Sequence, residues 1–547
     1  MQKLVVAAAA AFALACTSAA SAAVWSTPVG VNVVADQPIA GGGYPVPAGT
    51  NAPTGTCRPG LYNSNRSESW IAAKPGTENL VGVSKLFFEN FSTYYDFHLG
   101  AYAIQSGAVV GSTQVQGYDC VSTGSSDSPP SWTNNTDPNV DFDTKGRAYQ
   151  ITLPFNAYWV NLHPNGAIGA SYSDDLGLHW VTGNGGKYLD KLPNSSSLSF
   201  GDVVDKQWVA VNHFVANRYQ DHVYAMWSVF NGSTTKIRVA VSRDRGQTFT
   251  RAATLTAPQA VGPSNTYVYP SVDAAGDVYV AFASFPPSHN SSAAIYVARS
   301  TDDAQTWGPF VKVVDGLETV DAFPNTRFRD GILENFTASP SYPGHVYLTW
   351  EQWDGTQMDV AFSQSTDYGL TWSDPAIVND NVDGATPTDQ FQPSVAAGPG
   401  GAVAIAFYDR RQACPSDPSI LPADRGRDNF CIDTSLQAYK DEGTAAGAVP
   451  VDSNVRMSQF TWDPEQPGQR VDGLSQYPCA AHTDPCPTGG GFIGDYFGLA
   501  ISGGNIYGFF VSTHYPSPVV QADGGGPVYY QDQVLSIVPR TVFGSGY

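Results

Sequence analysis

Four octapeptides of one pattern recur along the chain, and this repeat limits the possible folds more than any other sequence feature. Each copy begins with Ser, carries Asp at its third position and ends in an aromatic residue. The copies start at Ser173, Ser242, Ser300 and Ser365. Their spacing of about 60–70 residues suits one four-stranded sheet with its loops. The repeat therefore predicts an array of small antiparallel sheets.

The residues around each octapeptide indicate a β-hairpin. A run with strand-like alternation precedes every copy, for example residues 237–241 before the second and 294–298 before the third. The Asp side chain can accept backbone N–H bonds across a turn, and Gly permits a positive φ. We therefore predict that each octapeptide joins the third and fourth strands of a sheet, and that its aspartate is structural.

The octapeptides resemble the Asp box, S-x-D-x-G-x-T-W, of sialidases and related bacterial repeat proteins. Three positions depart from that pattern, since His179 replaces Thr, Phe249 replaces Trp and Ala304 replaces Gly. We expect the turn with Ala304 to be strained or differently shaped. The resemblance implies an all-β fold, a single sialidase-like β-propeller of four-stranded blades that occupies residues 61–547.

A second recurring element, a short strand followed by a Gly- or Asp-bearing turn and a β-rich run, indicates the first two strands of a blade. It places blade starts near residues 68, 138, 206, 269, 328, 392 and 495. This favours seven blades, although sialidase-like propellers usually have six, and six remains the alternative. Residues 24–60 are predicted to be an irregular lead-in, and residues 411–430 and 463–492 to be long loop inserts, which are often functional.

The N-terminal segment has the pattern of a secretion signal. Lys3 is followed by an apolar run over residues 4–15 and by small residues up to a cleavage site near Ala22 or Ala23. Residues 1–23 are therefore predicted to be removed from a secreted or periplasmic protein. Lipid attachment at Cys16 is an alternative. No later run approaches the apolar length of a membrane span, so none is expected.

The net charge of −21 argues against two classes of partner. A nucleic-acid binder needs a basic face, and so does a protein that adheres to anionic membranes. We expect a glycan or glycoconjugate as the partner and a monomeric protein without a cofactor. Structural calcium in the Asp-rich turn 141–146 is an alternative, although this turn lacks the later Glu of an EF-hand.

Six cysteines remain after Cys16 leaves with the signal, and an even number in an exported chain predicts three disulfides. Nearness in sequence pairs Cys414 with Cys431 and Cys479 with Cys486. Elimination then pairs Cys57 with Cys120. There is no C-x2-C pair, so a zinc site is not expected.

Ligands of propellers usually lie over the central channel, on the face where the innermost strands begin. The polar residues predicted for that face are Glu68, Asp137, Asp205, Lys206, Gln207, Tyr267, Tyr269, Arg327, Arg329, Asp330, Glu351, Gln392, Asp409, Arg410, Arg411, Asp495 and Tyr496. The segments 407–411 and 492–498 resemble segments of bacterial sialidase-like proteins.

The resemblance also implies roles, because sialidases use a Tyr activated by a Glu, an Asp as acid/base and three Arg that bind the substrate carboxylate. It assigns the roles as follows: Tyr496 and Glu351 as nucleophilic pair, Asp137 or Asp205 as acid/base, Arg329 and Arg410 as anchors, with Asp409, Asp495 and Gln392 in the binding set. The Arg-Ile-Pro or Arg-Leu-Pro segment of the first sialidase arginine is absent, and neither Arg58 nor Arg66 matches it.

The first functional hypothesis is therefore an exported glycoside hydrolase related to sialidases that cleaves an acidic or terminal sugar. A lyase on uronic-acid glycans is a catalytic variant of it. The alternative is a non-catalytic propeller that binds glycan or protein at the cell surface. Clustered arginines facing a Tyr–Glu pair and an Asp would favour the enzyme, whereas paired charges and bulky aromatics would favour the binder.

Overall fold

The structure is a computed structural model. It describes residues 25–35, 65–87, 97–115, 134–155, 166–191, 202–231, 234–255, 261–286, 292–320, 323–326, 328, 330–331, 334–382, 386–466, 470–471, 474–475, 492–520 and 526–547. Several predictions concern residues outside this set: the signal 1–23 with Cys16, the residues Cys57, Arg58, Cys120, Arg327 and Arg329, and the pair Cys479 and Cys486.

The described chain is all-β, as predicted, and its regular helical segments are the 3₁₀ turns Asn184–Gly186, Pro399–Gly401 and Arg540–Phe543. None of its helices is long and apolar enough to cross a membrane. Antiparallel pairing divides the described strands into seven larger sheets, mostly four-stranded, which we number in chain order, and two small hairpins. Sheets 3 and 4 are joined only by a parallel bridge between Thr235 and Ser264.

The first strand along the chain, β1 (Val31–Val34), belongs to the last sheet. Sheet 1 contains β2 (Arg66–Ala73), β3 (Asn79–Phe87), β4 (Phe97–Gln105) and β5 (Ala108–Gln114). Sheet 2 contains β6 (Asn134–Thr136), β7 (Asp141–Phe142), β8 (Ala148–Phe155), β9 (Ala167–Ser173), β10 (Val181–Thr182) and β11 (Asp190–Lys191). Sheet 3 contains β12 (Asp202–Val211), β13 (Val223–Asn231), β14 (Thr234–Ser242) and β15 (Ala253–Thr254).

The later sheets repeat this order. Sheet 4 contains β16 (Ser264–Val272), β17 (Val278–Phe285), β18 (Ala293–Ser300) and β19 (Phe310–Leu317). Sheet 5 contains β20 (Glu334–Ala338), β21 (Val346–Trp353), β22 (Met358–Ser365) and β23 (Ala376–Ile377). Sheet 6 contains β24 (Gln390–Ala397), β25 (Ala402–Asp409), β26 (Asp433–Asp441) and β27 (Ala448–Arg456).

Two small hairpins accompany the last sheet. The first consists of β28 (Arg470–Val471) and β29 (Leu474–Ser475). Sheet 7 contains β30 (Gly498–Ser502), β31 (Asn505–Ser512) and β34 (Asp532–Pro539), and β1 pairs with β34 as its outer strand. The second hairpin, β32 (Pro516–Val520) with β33 (Pro527–Tyr529), projects from the β31–β34 connection. Of the predicted irregular lead-in 24–60, the structure describes residues 25–35, which include β1, and the rest lies outside the described residues.

The first strands of the sheets contact one another in order, and the first strand of sheet 7 contacts that of sheet 1. Apolar side chains accordingly pack between neighbouring sheets rather than in one central core. Between sheets 7 and 1, for example, Ile71 and Tyr102 pack with Tyr507 and Phe509. Gly498 permits this approach, because a Cβ there would lie 2.7 Å from the Trp70 backbone. The arrangement is consistent with a propeller-like fold.

All four octapeptides form turns between the third and fourth strands of their sheets. In the first, Asp175 accepts the His179 N–H at 2.8 Å, and Ser173 Oγ accepts the Gly177 N–H at 2.9 Å. The third turn makes the same bonds although Ala304 stands in place of Gly. Ala304 has a φ of 59°, so this turn keeps its shape with a strained backbone.

The insert between β25 and β26 is held by the predicted Cys414–Cys431 disulfide. A small cluster of Cys414, Ile420, Phe430 and Cys431 fills its centre. The segment after β27 supports it, because Asp463 accepts the Leu421 N–H at 3.0 Å. Since β25 ends and β26 begins at the end of the sheets where the first strands start, the insert lies at that end of the molecule.

Candidate functional site

Left-handed residues mark the start of the first strands. Non-glycine residues with positive φ stand at five such places: Glu68 (49°), Asp137 (54°), Lys206 (53°), Tyr267 (56°) and Gln392 (46°). In β2, β12, β16 and β24 the residue lies within a break in the pairing register. Bulges of this kind re-aim side chains, and backbone strain clusters at functional sites. We call this end of the ring of first strands the mouth.

The mouth holds a cluster of five charged residues, which we name the mouth cluster: Glu68, Asp137, Asp205, Lys206 and Asp495. Its centre is Lys206, whose Nζ lies 2.6 Å from an Asp495 oxygen and 3.8 Å from Asp137 Oδ2. The Lys206 N–H also donates to Asp205 at 2.9 Å. One ammonium group thus stands among carboxylates from sheets 2, 3 and 7.

Glu68 is tied into the cluster by two residues. Lys85 Nζ, from the second strand of sheet 1, lies 2.7 Å from Glu68 Oε2. The Thr136 hydroxyl lies 3.2 Å from the same oxygen and 2.9 Å from Asp137 Oδ1. A hydroxyl that reaches two carboxyl groups can relay a proton between them.

Burial sets the protonation of the cluster. Burial raises the pKa of Glu68 to about 7, against the opposing effect of Lys85. It raises the pKa of Asp205 to about 6, against that of Lys206. Burial lowers the pKa of Lys206, but Asp495, Asp137 and the other carboxylates raise it more, so its pKa lies well above the usual value. The site therefore combines a permanent cation with carboxyl groups that titrate near neutral pH.

Part of the cluster is accessible to solvent. Asp205, Lys206 and Tyr267 are partly exposed, whereas Glu68 and Asp137 are buried. A small cavity lies against Asp137, Lys206 and Tyr267. Asp137 Oδ2 has no hydrogen-bond partner within the described chain. A reacting polar group could therefore bind to Asp137 Oδ2, beside the partly exposed Asp205.

Four aromatic rings close the space behind the cluster, and we name them the plug: Trp70, Trp208, Tyr269 and Tyr496. The Trp208 ring centre lies 4.7 Å from that of Trp70, 4.8 Å from Tyr269 and 5.0 Å from Tyr496, in edge-to-face geometry. Edge-to-face contacts of this kind are favourable beyond their buried area. The Tyr496 hydroxyl donates to the Pro138 carbonyl at 3.0 Å, and burial raises the pKa of Tyr496 well above its usual value.

A pair of carboxyl residues, Asp330 and Glu351, lies beside the mouth cluster. Gln392 donates its backbone N–H to Glu351 at 2.6 Å and its side-chain amide to Asp330 at 3.1 Å. The same amide reaches the Gly494 carbonyl at 2.8 Å, next to Asp495. Burial raises the pKa of Asp330 to about 7, and burial together with Asp330 raises that of Glu351 well above its usual range. Both acids are therefore harder to ionise than a carboxyl group in water.

The structure places Asp409, the last residue of β25, and the following Arg410 in contacts within sheet 6 and the disulfide insert. Arg410 is fully buried, with Nη1 3.1 Å from Asp389 and Nε donating to the Phe430 carbonyl at 3.2 Å. Asp409 accepts from Arg411 at 2.7 Å and from Ser435 at 2.6 Å. Both residues join strands of sheet 6 to the disulfide insert.

The structure thus brings together Asp137, Asp205 and Asp495, and beside them Glu351 with Gln392. It places Tyr496 in the plug without a contact to Glu351. The sequence reasoning missed Lys85, Thr136 and the plug tryptophans. A usable signal was present, because one three-residue pattern recurs at 68–70, 206–208 and 267–269. It consists of a polar residue, any residue and an aromatic residue.

No arrangement of three or more His, Cys, Asp or Glu side chains in the described ranges is suited to a metal ion. In the turn 141–146, protein donors take up the Asp143 carboxylate: Tyr149 Oη at 2.8 Å and Arg245 Nε at 2.6 Å. The main-chain N–H groups of Lys145 and Arg147 donate to its other oxygen at 2.9 Å.

Comparison with known proteins gives likeness of structure only. No protein-family model matches the sequence, and no curated protein matches it. A Dyadobacter fermentans protein of unknown function is 10% identical over 88% of this chain and 96% of its own, with a TM-score of 0.41. The Hadza microbial sialidase Hz136 is 11% identical over 83% and 75%, at 0.38. A Fusarium graminearum α-L-arabinofuranosidase is 13% identical over 74% and 93%, at 0.38. Likenesses this remote carry no argument about activity.

Proposed function

We propose that this chain is an exported, closed seven-bladed propeller that cleaves glycosidic bonds by acid–base catalysis at its mouth. One observation carries the proposal. Carboxyl groups with pKa values raised into the neutral range surround one lysine, and three residues of this cluster, Glu68, Asp137 and Lys206, have left-handed backbone conformations. Perturbed carboxyls and local strain coincide at catalytic sites. The glycan class rests on the octapeptide resemblance, and the seven sheets with their ring of contacts support closure.

Asp205 is the general acid in this proposal. It is the carboxyl of the cluster that combines partial exposure with a pKa raised to about 6. A general acid works best when its pKa lies near the working pH, and glycoside hydrolysis requires protonation of the leaving oxygen. Asp205 would donate that proton.

Asp137 is the second carboxyl, and Lys206 positions it. Asp137 Oδ2, which has no hydrogen-bond partner among the described residues and lies 3.8 Å from Lys206 Nζ, would stabilise positive charge at the sugar or activate water. Lys206 holds this carboxyl group beside the small cavity that both residues line. The raised pKa of Tyr496 and its bond to Pro138 support a structural part for this residue in the plug. Glu351 and Arg410 lie outside the reacting pair.

The decisive experiment is a screen of the secreted full chain against fluorogenic glycosides, sialosides included, and a panel of plant and bacterial polysaccharides. On any substrate that turns over, Asp205→Asn is expected to lower kcat about 10²–10⁴-fold, the usual contribution of a general acid. The exposed Asp374→Asn serves as the matched control and should retain wild-type kcat. Equal activity of the two variants would remove Asp205 from the mechanism.

The pH profile gives a second test of the same assignment. Asp205 donates only while protonated, so kcat/KM should fall as pH rises above about 6. The residual activity of Asp205→Asn should lack this limb. A profile that is flat from pH 5 to pH 8 in the wild type contradicts the assignment.

One observation favours a non-catalytic glycan binder as the second candidate. The charges of the mouth are paired, as in Lys85–Glu68 and Lys206–Asp495, and bulky aromatics lie directly behind them. Glycan binding without turnover of any substrate in the screen would favour the binder. In that case Lys206→Met should weaken glycan binding, whereas the exposed Lys236→Met should not.

A further inference from the structure

A cavity of about 660 Å³, partly open to solvent, lies on the other side of the plug and is lined by the first strands of all seven sheets and by the turns that follow them. Trp70 and Trp208 belong both to the plug and to the lining of this cavity. Its volume lies in the range of small-molecule sites, which are about 300–1,000 Å³. The cavity is therefore separate from the mouth cluster, and the two have only the plug between them.

A change in side-chain size along the first strands creates this space. Two residues after the left-handed position stand the plug rings Trp70, Trp208 and Tyr269. Two residues further on, at the corresponding positions, stand the small residues Ala72, Ala210, Ser271 and Ala396, all of which line the cavity. Large side chains at these places would fill the ring. Within the described strands, these small residues therefore leave space directly next to the aromatic plug.

Polar groups converge at the open side of the cavity. Asp141 lines it from sheet 2 and His213 from the segment after β12, with His213 Nδ1 3.9 Å from Asp141 Oδ1. Among the described residues, His213 Nδ1 has no hydrogen-bond partner. Asp141 Oδ2 accepts the Val211 N–H at 2.7 Å, which fixes the carboxylate. Lys74 and Thr337 add an ammonium and a hydroxyl.

We infer that this cavity binds a short neutral saccharide, a mono- or disaccharide, as a second ligand site. Aromatic rings offer a surface for the C–H face of a sugar, and a carboxylate, imidazole and hydroxyl offer acceptors and donors for its hydroxyl groups. Acidic and basic groups stand together at the entrance, which suits uncharged hydroxyls better than a net charge. This inference does not depend on catalysis at the mouth.

Saturation-transfer NMR on the secreted full chain tests the inference, with cellobiose, lactose and maltose as probes. We expect transfer to at least one of them. Ala72→Phe should lower the affinity at least tenfold, because the ring occupies the small-residue layer. Ala376→Phe, at an exposed site on β23, is the matched control and should bind as the wild type does. No transfer to any probe would overturn the inference and leave the cavity as a solvent channel.

Two further variants keep the result interpretable. His213→Ala lies on the partly exposed rim and should weaken binding at least fivefold even if Ala72→Phe does not fold. Asp205→Asn, in the mouth cluster, should leave this binding unchanged. Binding that is lost in Asp205→Asn and kept in His213→Ala would place the saccharide at the mouth and refute a second site. Turnover in the glycoside screen is read separately, so failure of one proposal leaves the other standing.

Discussion

At the scale of single residues, the mouth is marked by backbone conformations that cost free energy. Left-handed φ is unfavourable by about 1–2 kcal/mol for a residue with a Cβ. The chain nevertheless keeps Glu68, Asp137, Lys206, Tyr267 and Gln392 in that region. Among the described starts of the first strands, glycine, which adopts this conformation freely, stands at the corresponding position only before β30, as Gly494. Retention of charged and polar side chains at this cost supports a functional mouth.

The same physics predicts the effect of one substitution in the octapeptide turns. Ala304→Gly should stabilise the protein by about 1 kcal/mol, because Ala304 is held at φ 59° where the other copies have Gly. For a chain of this size we expect calorimetry to show an increase in Tm of about 1 °C.

The reciprocal substitution is the control for that prediction. Gly369→Ala should lower Tm by a similar amount, since Gly369 has a φ of 77° and a Cβ there would have its nearest neighbour, Val297, at 3.7 Å. Strain is therefore the only change at that site. If both substitutions shift Tm in the same direction, backbone strain does not distinguish the third turn from the fourth.

At the scale of strands, the sequence predicted which residues stand at the mouth but not how they pair. The start of each first strand is readable from local pattern, and the structure has Glu68 in β2, Asp137 directly after β6 and Gln392 in β24, each near such a start. Pairing depends on contacts between sheets that local pattern does not encode. Arg410 follows an apolar strand like a site residue, yet Asp389 and Phe430 bind it within sheet 6.

Neighbouring sheets are joined by a buried contact that occurs twice. Asp441 of sheet 6 lies 2.7 Å from His345 Nδ1 and 2.5 Å from Tyr347 Oη of sheet 5. Asp303 of sheet 4 lies 2.7 Å from His222 Nδ1 and accepts from a tyrosine of sheet 3 in the same way. In both cases a carboxylate of one sheet thus binds the His and the Tyr of a His-x-Tyr segment, which lies at the start of the second strand of the preceding sheet.

Removal of this carboxylate should loosen the contact between sheets 5 and 6. Asp441→Ala leaves two buried donors without an acceptor and should cost about 3 kcal/mol, with a decrease in Tm of about 3 °C. The exposed neighbour Glu442→Ala should leave Tm unchanged. In a double-mutant cycle with His345→Ala we expect a coupling of at least about 1 kcal/mol. Additive effects would show that the two side chains act independently.

At the scale of the whole molecule, the strand that joins the two ends of the chain is β1. It adds Val31–Val34 to β34, more than four hundred residues away in sequence. Trp25 anchors it, with Nε1 donating to Ser435 at 2.7 Å and Arg411 stacked 4.7 Å from its ring. The partner strand of these four residues lies about 500 residues further along the chain, so the local sequence pattern does not indicate this pairing.

This placement predicts that the ring can be opened and repaired. Deletion of residues 25–35 exposes the edge of β34 and removes the burial of Trp25, so Tm should fall by about 5 °C and the protein should associate through the free edge. A synthetic peptide of residues 25–35, added in excess, should restore Tm, since an extended peptide can complete an open sheet. A scrambled peptide of the same composition should not. If the deletion leaves Tm and the association state unchanged, β1 does not close the fold, and the seven-bladed proposal loses its last strand.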